Sequence, residues 1–174
     1  MPDPLTPPLG PEDHVDGPPD AALELVMYGD FQCPYCSAAQ PIVQRVRDRL
    51  GDRLRYAFRH LPLPEVHPDA QRAAEAAESA AAQGAFWAMH DALYAQRGRL
   101  ELEDVLRAAS GAGVDPERVR TDLEAGVYGP RVARDAESAL AGGVTGTPGF
   151  FANGVRVEGS FDAQSLLAAL EAPR

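Results

Sequence analysis

The fold is decided by the stretch Asp30-Phe31-Gln32-Cys33-Pro34-Tyr35-Cys36, which joins an apolar strand pattern to a helical pattern. It holds the only two cysteines of the 174-residue chain. A Cys-x-x-Cys pair at a strand-to-helix junction is typical of a thiol–disulfide redox centre. A structural zinc site is the minor alternative, because it would need two further ligands. The candidates for those ligands are scattered along the sequence: His14, His60, His67 and His90.

The two cysteines are expected to differ in chemistry because they occupy different places at the start of a helix. The pattern predicts a buried strand over residues 22–28 and a helix over residues 35–50, with Pro34 suited to the first helical turn. Cys33 then lies at the helix N-terminus, where free backbone N–H groups and the helix dipole favour a thiolate. We expect Cys33 to be the nucleophile, with a pKa below the free value of about 8.5. Cys36 lies one turn into the helix and is expected to resolve the mixed disulfide.

Length and charge exclude several classes of function. A chain of this length fits one domain with an insertion. The net charge of −10 argues against nucleic acid or an anionic membrane as a partner, and no stretch approaches the roughly 20 apolar residues of a membrane span. Residues 1–19 lack the features of a signal peptide. With Met1 as the native start we therefore expect a cytoplasmic protein, and a periplasmic or extracytoplasmic one if a leader was removed.

The predicted elements follow the order strand, helix, strand, helical block, strand, strand, helix. Residues 1–20 form an extended, mostly irregular lead with seven prolines. A second strand over residues 53–60 makes a parallel pair with the first. Five helices fill residues 67–142. Two further strands, residues 149–152 and 155–157, flank a hairpin turn at Asn153-Gly154, and a last helix is capped by Asp162.

This order resembles the thioredoxin fold, and several runs resemble the DsbA-like family. The runs cover residues 28–36, 58–63, 84–91 and 144–151. The resemblance implies an α/β fold with a central mixed sheet flanked by helices. It divides the chain into the lead (1–20), a thioredoxin-fold domain (21–64 and 143–174) and an inserted α-helical domain (65–142). It also implies a cis peptide bond at Pro148, lying against the cysteine pair, and substrate contacts from the following residues: Pro34, Tyr35, Thr147 and Pro148.

Two departures from the family pattern affect the expected chemistry. Met27 stands where thioredoxin-fold enzymes often carry a buried carboxylate, six residues before the nucleophile. Tyr35 stands where the strong periplasmic oxidants of the family have histidine, so we expect a less oxidising couple. His60 follows the second strand, and we expect a structural role for it. We expect His14 to lie at the surface.

The sequence predicts a thiol–disulfide oxidoreductase that exchanges disulfides with cysteine-containing protein or peptide substrates through Cys33 and Cys36. No cofactor and no metal is expected, because the dithiol is itself the redox group. The redox partner would be the thioredoxin system or glutathione, and we expect a monomer. Two alternatives stay open: a glutathione-linked enzyme of glutaredoxin or transferase type, suggested by Pro34-Tyr35, and a non-enzymatic peptide-binding or holdase module.

Overall fold

The computed structural model describes residues 3–173, and a mixed sheet of five strands forms its centre. The strands are β1 (His14–Asp16), β2 (Leu23–Gly29), β3 (Leu54–His60), β4 (Gly149–Ala152) and β5 (Val155–Val157). Their spatial order is β1-β3-β2-β4-β5. β2 and β3 are parallel, and every other neighbouring pair is antiparallel.

Seven α-helices surround this sheet in the described part of the chain. They are α1 (Pro34–Leu50), α2 (Ala70–Ala81), α3 (Phe86–Ala95), α4 (Leu102–Gly111), α5 (Pro116–Ala125), α6 (Gly129–Ala141) and α7 (Ala163–Glu171). The prediction of a mixed sheet flanked by helices is confirmed. α2 begins three residues later than predicted, because Pro68 disfavours the helical conformation at His67.

The central strands are buried on both faces, and their side chains alternate between two cores. Leu25 and Met27 of β2 belong to the larger core, which includes residues of α1 and α7. Val26 and Tyr28 belong to a smaller core on the other face, where α6 contacts β3. Each fully buried large apolar side chain contributes about 1.5–3 kcal/mol, so the end of β2 is a firm support for the redox turn that follows it.

The N-terminal lead differs from the predicted irregular segment. His14–Asp16 forms β1, which pairs with β3 at one edge of the sheet. At the opposite edge Pro4 forms an isolated bridge with Val155 of β5. Three residues are too few to show a periodicity in the sequence, which is why the strand was not predicted.

Arg59 of β3 fixes this lead to the sheet. Its buried guanidinium donates from Nε and Nη2 to the two carboxylate oxygens of Asp13 at 2.8 and 2.9 Å. It also donates to the carbonyl oxygen of Pro7 and to the Tyr28 hydroxyl, both at 3.0 Å. Loss of one partner from a buried pair of this kind leaves an uncompensated charge, so the lead is an integral part of the structure.

Candidate active site

The two cysteines lie at the N-terminus of α1. Cys33 is the N-cap residue, in extended conformation, and Pro34 occupies the first turn. The backbone N–H of Cys33 donates to the Asp30 carbonyl at 3.1 Å, which closes the turn after β2. Both side chains are free thiols. Cys33 is 3 % exposed and Cys36 is fully buried.

The surroundings of Cys33 stabilise a thiolate. A hydrogen bond from the Cys36 thiol is the largest influence on the Cys33 pKa and lowers it, whereas burial acts in the opposite direction. The Thr147 hydroxyl and the backbone N–H groups of Cys36 and Tyr35 lower it further. The result is a Cys33 pKa of about 5, so this thiol is ionised at neutral pH.

Cys36 has the opposite character. Burial raises the pKa of its thiol well above the usual range, and its hydrogen bond with Cys33 acts in the same direction. The backbone N–H of Asp30 faces its sulfur and opposes the rise. At neutral pH the pair therefore consists of a Cys33 thiolate and a Cys36 thiol that donates a hydrogen bond to it. This arrangement suits attack by Cys33 and resolution by Cys36.

A loop from the far side of the sheet meets Cys33. The Thr147–Pro148 peptide bond is cis. As a thiol, Cys33 donates to the Thr147 carbonyl oxygen over 3.7 Å. The buried Thr147 hydroxyl has no other hydrogen-bond partner among the described residues, so it is available to a Cys33 thiolate. Pro148 is partly exposed, and on the other side of the sulfur Pro34 and Tyr35 are exposed, Tyr35 by 67 %. Substrate contact by these four residues stays a prediction.

Below the cysteines, Met27 replaces a proton-carrying side chain with a thioether. Its sulfur accepts hydrogen bonds from the Tyr56 hydroxyl at 3.5 Å and from the Gln40 amide at 3.9 Å. The same Gln40 amide donates to the Cys36 carbonyl at 3.0 Å. The thioether can accept a weak hydrogen bond but holds no proton, so this position contributes packing and no acid–base chemistry.

Asp30 is a further site residue, which the sequence motifs alone do not indicate. Its carboxylate is buried, and Oδ1 accepts from the backbone N–H of Gln32 at 2.7 Å and of Cys33 at 3.1 Å. Oδ2 accepts from the backbone N–H of Leu63 at 3.0 Å and contacts Nδ1 of His67 at 2.8 Å. An aspartate directly before a turn, with free N–H groups two and three residues later, was the available signal.

The histidines are less scattered than the sequence suggested. His14 and His60 both place Nε2 at 2.7 Å from the same oxygen of Glu78 on α2. His14 is not a surface residue as expected, since its ring is mostly buried and stacks on Phe86 at 3.7 Å between centroids. His60 is fully buried, and of its two ring nitrogens only Nε2 has a hydrogen-bond partner within residues 3–173.

This cluster is the one group in residues 3–173 with the spacing of a metal site. Two histidines and a glutamate are a ligand set that zinc uses. Here the two ring nitrogens are already hydrogen-bonded to the Glu78 carboxylate. Burial is the largest single influence on the Glu78 pKa and raises it, but the hydrogen bonds together outweigh burial and hold this pKa well below its usual range. The cluster is a buried hydrogen-bond network that links β1 and β3 to α2.

Comparison with known proteins gives the family. A family model described as thioredoxin matches residues 10–172. The chain belongs to the thioredoxin family. A solved thioredoxin-like oxidoreductase from Silicibacter pomeroyi DSS-3 has a TM-score of 0.83 and 31 % identity, over 93 % of this chain and 92 % of that one. Pseudomonas aeruginosa DsbA2 has a TM-score of 0.76 and 25 % identity, over 94 % and 96 %. This thioredoxin-family chain is therefore DsbA-like, as the sequence predicted.

Curated relatives of this thioredoxin-family chain are longer. The Na⁺/H⁺ antiporter NhaA 1 of Salinispora arenicola (strain CNS-205) is 48 % identical over 166 residues, which cover 94 % of this chain and 25 % of that protein. The chain thus spans about a quarter of the length of that relative. None of the helices within residues 3–173 has the length and apolar character that crossing a bilayer requires.

Proposed function

We propose that this chain is a thiol–disulfide oxidoreductase that works through the Cys33–Cys36 pair. The observation that carries the proposal is the opposite character of two adjacent thiols, with the pKa of Cys33 lowered to about 5 and that of Cys36 strongly raised. Structural cysteines buried in apolar surroundings are inert, whereas a low-pKa thiol at a helix N-terminus is the reactive type. The DsbA-like fold supports the same activity. The antiporter activity in the names of the longer relatives is not proposed for this chain.

The reaction needs no cofactor. In the reducing direction the Cys33 thiolate attacks a substrate disulfide, a Cys33–substrate S–S bond forms, and one substrate sulfur leaves as a thiolate that takes up a proton. Cys36 then loses its proton and attacks the Cys33 sulfur, which releases the second substrate thiolate, and that thiolate takes up a proton. The pair gives up two electrons and the Cys36 proton, the substrate disulfide gains the two electrons, and the second proton that the substrate thiols take up comes from water. The oxidising direction is the same sequence reversed.

The proposed substrate is a cysteine-containing segment of a protein or peptide. Access to Cys33 lies between the exposed Tyr35 side chain and the loop at Thr147 and Pro148. An extended segment placed there would offer its backbone to the loop, in the manner of an added strand. The redox partner, the thioredoxin system or glutathione, stays a prediction, as do the monomeric state and the cytoplasmic location.

Two single substitutions test the proposal. Cys33→Ser is expected to abolish insulin reduction, because serine supplies no thiolate. Cys36→Ser is expected to accumulate mixed disulfides with substrate, visible by non-reducing electrophoresis and mass spectrometry, because the resolving thiol is gone. Ser37→Ala, in the same helical turn, is the matched control and should retain activity. Insulin reduction by Cys33→Ser at the wild-type rate would overturn the proposal.

The glutathione-linked alternative is separated by a binding measurement. Calorimetric titration of the reduced protein with glutathione would show a defined binding site if glutathione were the substrate. The proposal predicts exchange with peptide disulfides and no saturable site for glutathione. Full function after alkylation of both cysteines would instead identify a holdase module.

A further inference from the structure

Asp30 connects three parts of the site. Its carboxylate accepts the backbone N–H of the nucleophile at 3.1 Å, and its own backbone N–H faces the Cys36 sulfur. The other carboxylate oxygen holds the segment after β3 through the Leu63 N–H and the His67 ring. The side chain of Asp30 thereby joins the redox turn to a second loop, and its backbone N–H adds a contact with the resolving sulfur.

Burial of the charged Asp30 carboxylate costs solvation free energy. The carboxylate is 1 % exposed, and a buried carboxylate needs a compensating charge or several hydrogen bonds. It also accepts the backbone N–H of Cys33, the residue whose sulfur must become negative, and a second negative charge nearby opposes that ionisation. The side chain in contact with it that can carry a positive charge is His67, whose Nδ1 lies 2.8 Å from Oδ2 and whose side chain is 17 % exposed to solvent.

Other charged groups surround this pair. Glu65 lies on the same loop as His67. Asp69 follows on that loop, where its backbone N–H donates to Gln32, and its carboxylate is paired with Arg72 of α2 at 2.5 Å. From α3, the buried Tyr94 hydroxyl lies near enough to Asp30 to be influenced by its charge, and burial raises the pKa of this hydroxyl, so it is neutral. Cys33 and Cys36 complete the set. Asp69 already has its own cationic partner, so His67 is the group placed to balance Asp30.

We propose that Asp30 and His67 form a positioning pair, in which Asp30 holds the redox turn and a protonated His67 ring offsets the negative charge of Asp30. Cys33 can then carry a negative charge of its own. With the proton present the pair is neutral and leaves the thiolate unopposed. Without it the Asp30 charge disfavours the thiolate. This inference rests on the proposed function and names two further residues that tune it. Neither residue exchanges a bond with substrate.

The two members of the pair predict shifts of opposite sign in the alkylation of Cys33. His67→Gln keeps an N–H donor for Asp30 but removes the charge, so the pH midpoint of alkylation is expected to rise by about one unit. Asp30→Asn keeps an oxygen for the N–H groups of the turn but removes the opposing charge, so the midpoint is expected to fall. In the double variant, the His67 substitution should have little further effect, because no charge remains to be balanced.

His14→Gln is the matched control. Like His67, His14 is a partly buried histidine paired with a buried carboxylate, but its partner is Glu78 and it lies on β1. It should leave the Cys33 midpoint unchanged. All variants are compared as folded, reduced proteins, with circular dichroism and thermal unfolding to confirm the fold.

The outcome separates this inference from the proposed function. Alkylation of Cys33 reports its ionisation without any redox substrate, and insulin reduction by the wild-type protein reports the function. A wild-type protein that reduces insulin, with His67→Gln and Asp30→Asn both at the wild-type midpoint or both shifted in the same direction, overturns the inference alone. A wild-type protein that exchanges no disulfides overturns the function whatever the midpoints are.

Discussion

Cys33 owes its reactivity to groups from two separate parts of the chain. The Cys36 thiol and the backbone N–H groups of Tyr35 and Cys36 come from the first turn of α1, and the Thr147 hydroxyl comes from the loop before β4. Burial alone would keep the sulfur protonated. Hydrogen bonds to the charged form outweigh burial here, which explains how a sulfur with so little exposed surface can remain a thiolate.

The ionisation of Cys33 can be measured directly. Because its pKa is lowered to about 5, the thiolate is present above that pH and is lost as the pH falls through it. Alkylation by iodoacetamide, followed by mass spectrometry, should reach its plateau well below pH 7. Cys36→Ala removes the hydrogen bond that stabilises the Cys33 thiolate most, so the pH midpoint of Cys33 alkylation should be higher in this variant. Urea-unfolded protein is the reference, with a midpoint near the free value of about 8.5, and an equal midpoint in folded and unfolded protein would contradict the expectation.

Some site residues could be named from the sequence and others could not. Local sequence motifs were enough to indicate four of them: Cys33, Cys36, Thr147 and Pro148. In the structure Thr147 contacts Cys33 although the two residues are 114 positions apart in the chain. His67 belongs to no such pattern. Its ring meets Asp30 because the loop after β3 folds back over the redox turn, and this contact depends on the tertiary arrangement of both segments.

At the level of secondary-structure elements, turn and cap residues allowed the positions of the hairpin and of two helices to be predicted from the sequence. Asn153 and Gly154 both have positive φ, as the predicted hairpin turn requires. Asp115 and Asp162 cap α5 and α7, and each accepts a backbone N–H of the first turn. β1 had no comparable signal. Its position is determined by pairing with β3 and by the contact between Arg59 and Asp13, both of which are long-range.

The Asp115 cap gives a prediction at this scale. Its carboxylate accepts from the backbone N–H of Glu117 at 3.0 Å and of Arg118 at 3.4 Å. Asp115→Ala leaves these donors without a protein partner and is expected to lower the free energy of unfolding by about 1 kcal/mol. Asp115→Asn, which keeps the accepting oxygen, should stay close to wild type. Urea denaturation measures both, and an equal loss in the two variants would show that the cap does not act through this bond.

Across the whole molecule, Glu78 joins elements that are far apart in the chain. Its carboxylate on α2 receives His14 from β1 and His60 from β3. Hydrogen bonds from these rings hold the Glu78 pKa well below its usual range against the opposing effect of burial. A lowered pKa in the folded state means that the stabilisation is complete above the unfolded pKa of about 4.3 and is lost as the pH falls through the folded value.

Glu78→Gln should therefore change how stability depends on pH. Glutamine keeps an oxygen for the two rings but not the charge, so at pH 7 we expect the free energy of unfolding to fall by about 1.5–3 kcal/mol, as for hydrogen bonds to charged groups. The difference in the free energy of unfolding between wild type and Glu78→Gln should narrow as the pH falls below about 4.3. Chemical denaturation at a series of pH values measures this. Glu75→Gln, on the same helix and bonded to Gln71 at 3.1 Å, is the control, and parallel curves for wild type and Glu78→Gln would argue against the network.

The lead that crosses the sheet also has a consequence for association between molecules. β1 covers the outer side of β3. At the opposite edge of the sheet Pro4 pairs with Val155, and its neighbours Asp3 and Leu5 hydrogen-bond to the backbone of the β5 hairpin. Strand edges with unpaired N–H and C=O groups act as templates on which other chains can add. The N-terminal lead thus covers both edges of the sheet and protects them from edge-to-edge aggregation, and Arg59 holds the lead in this position.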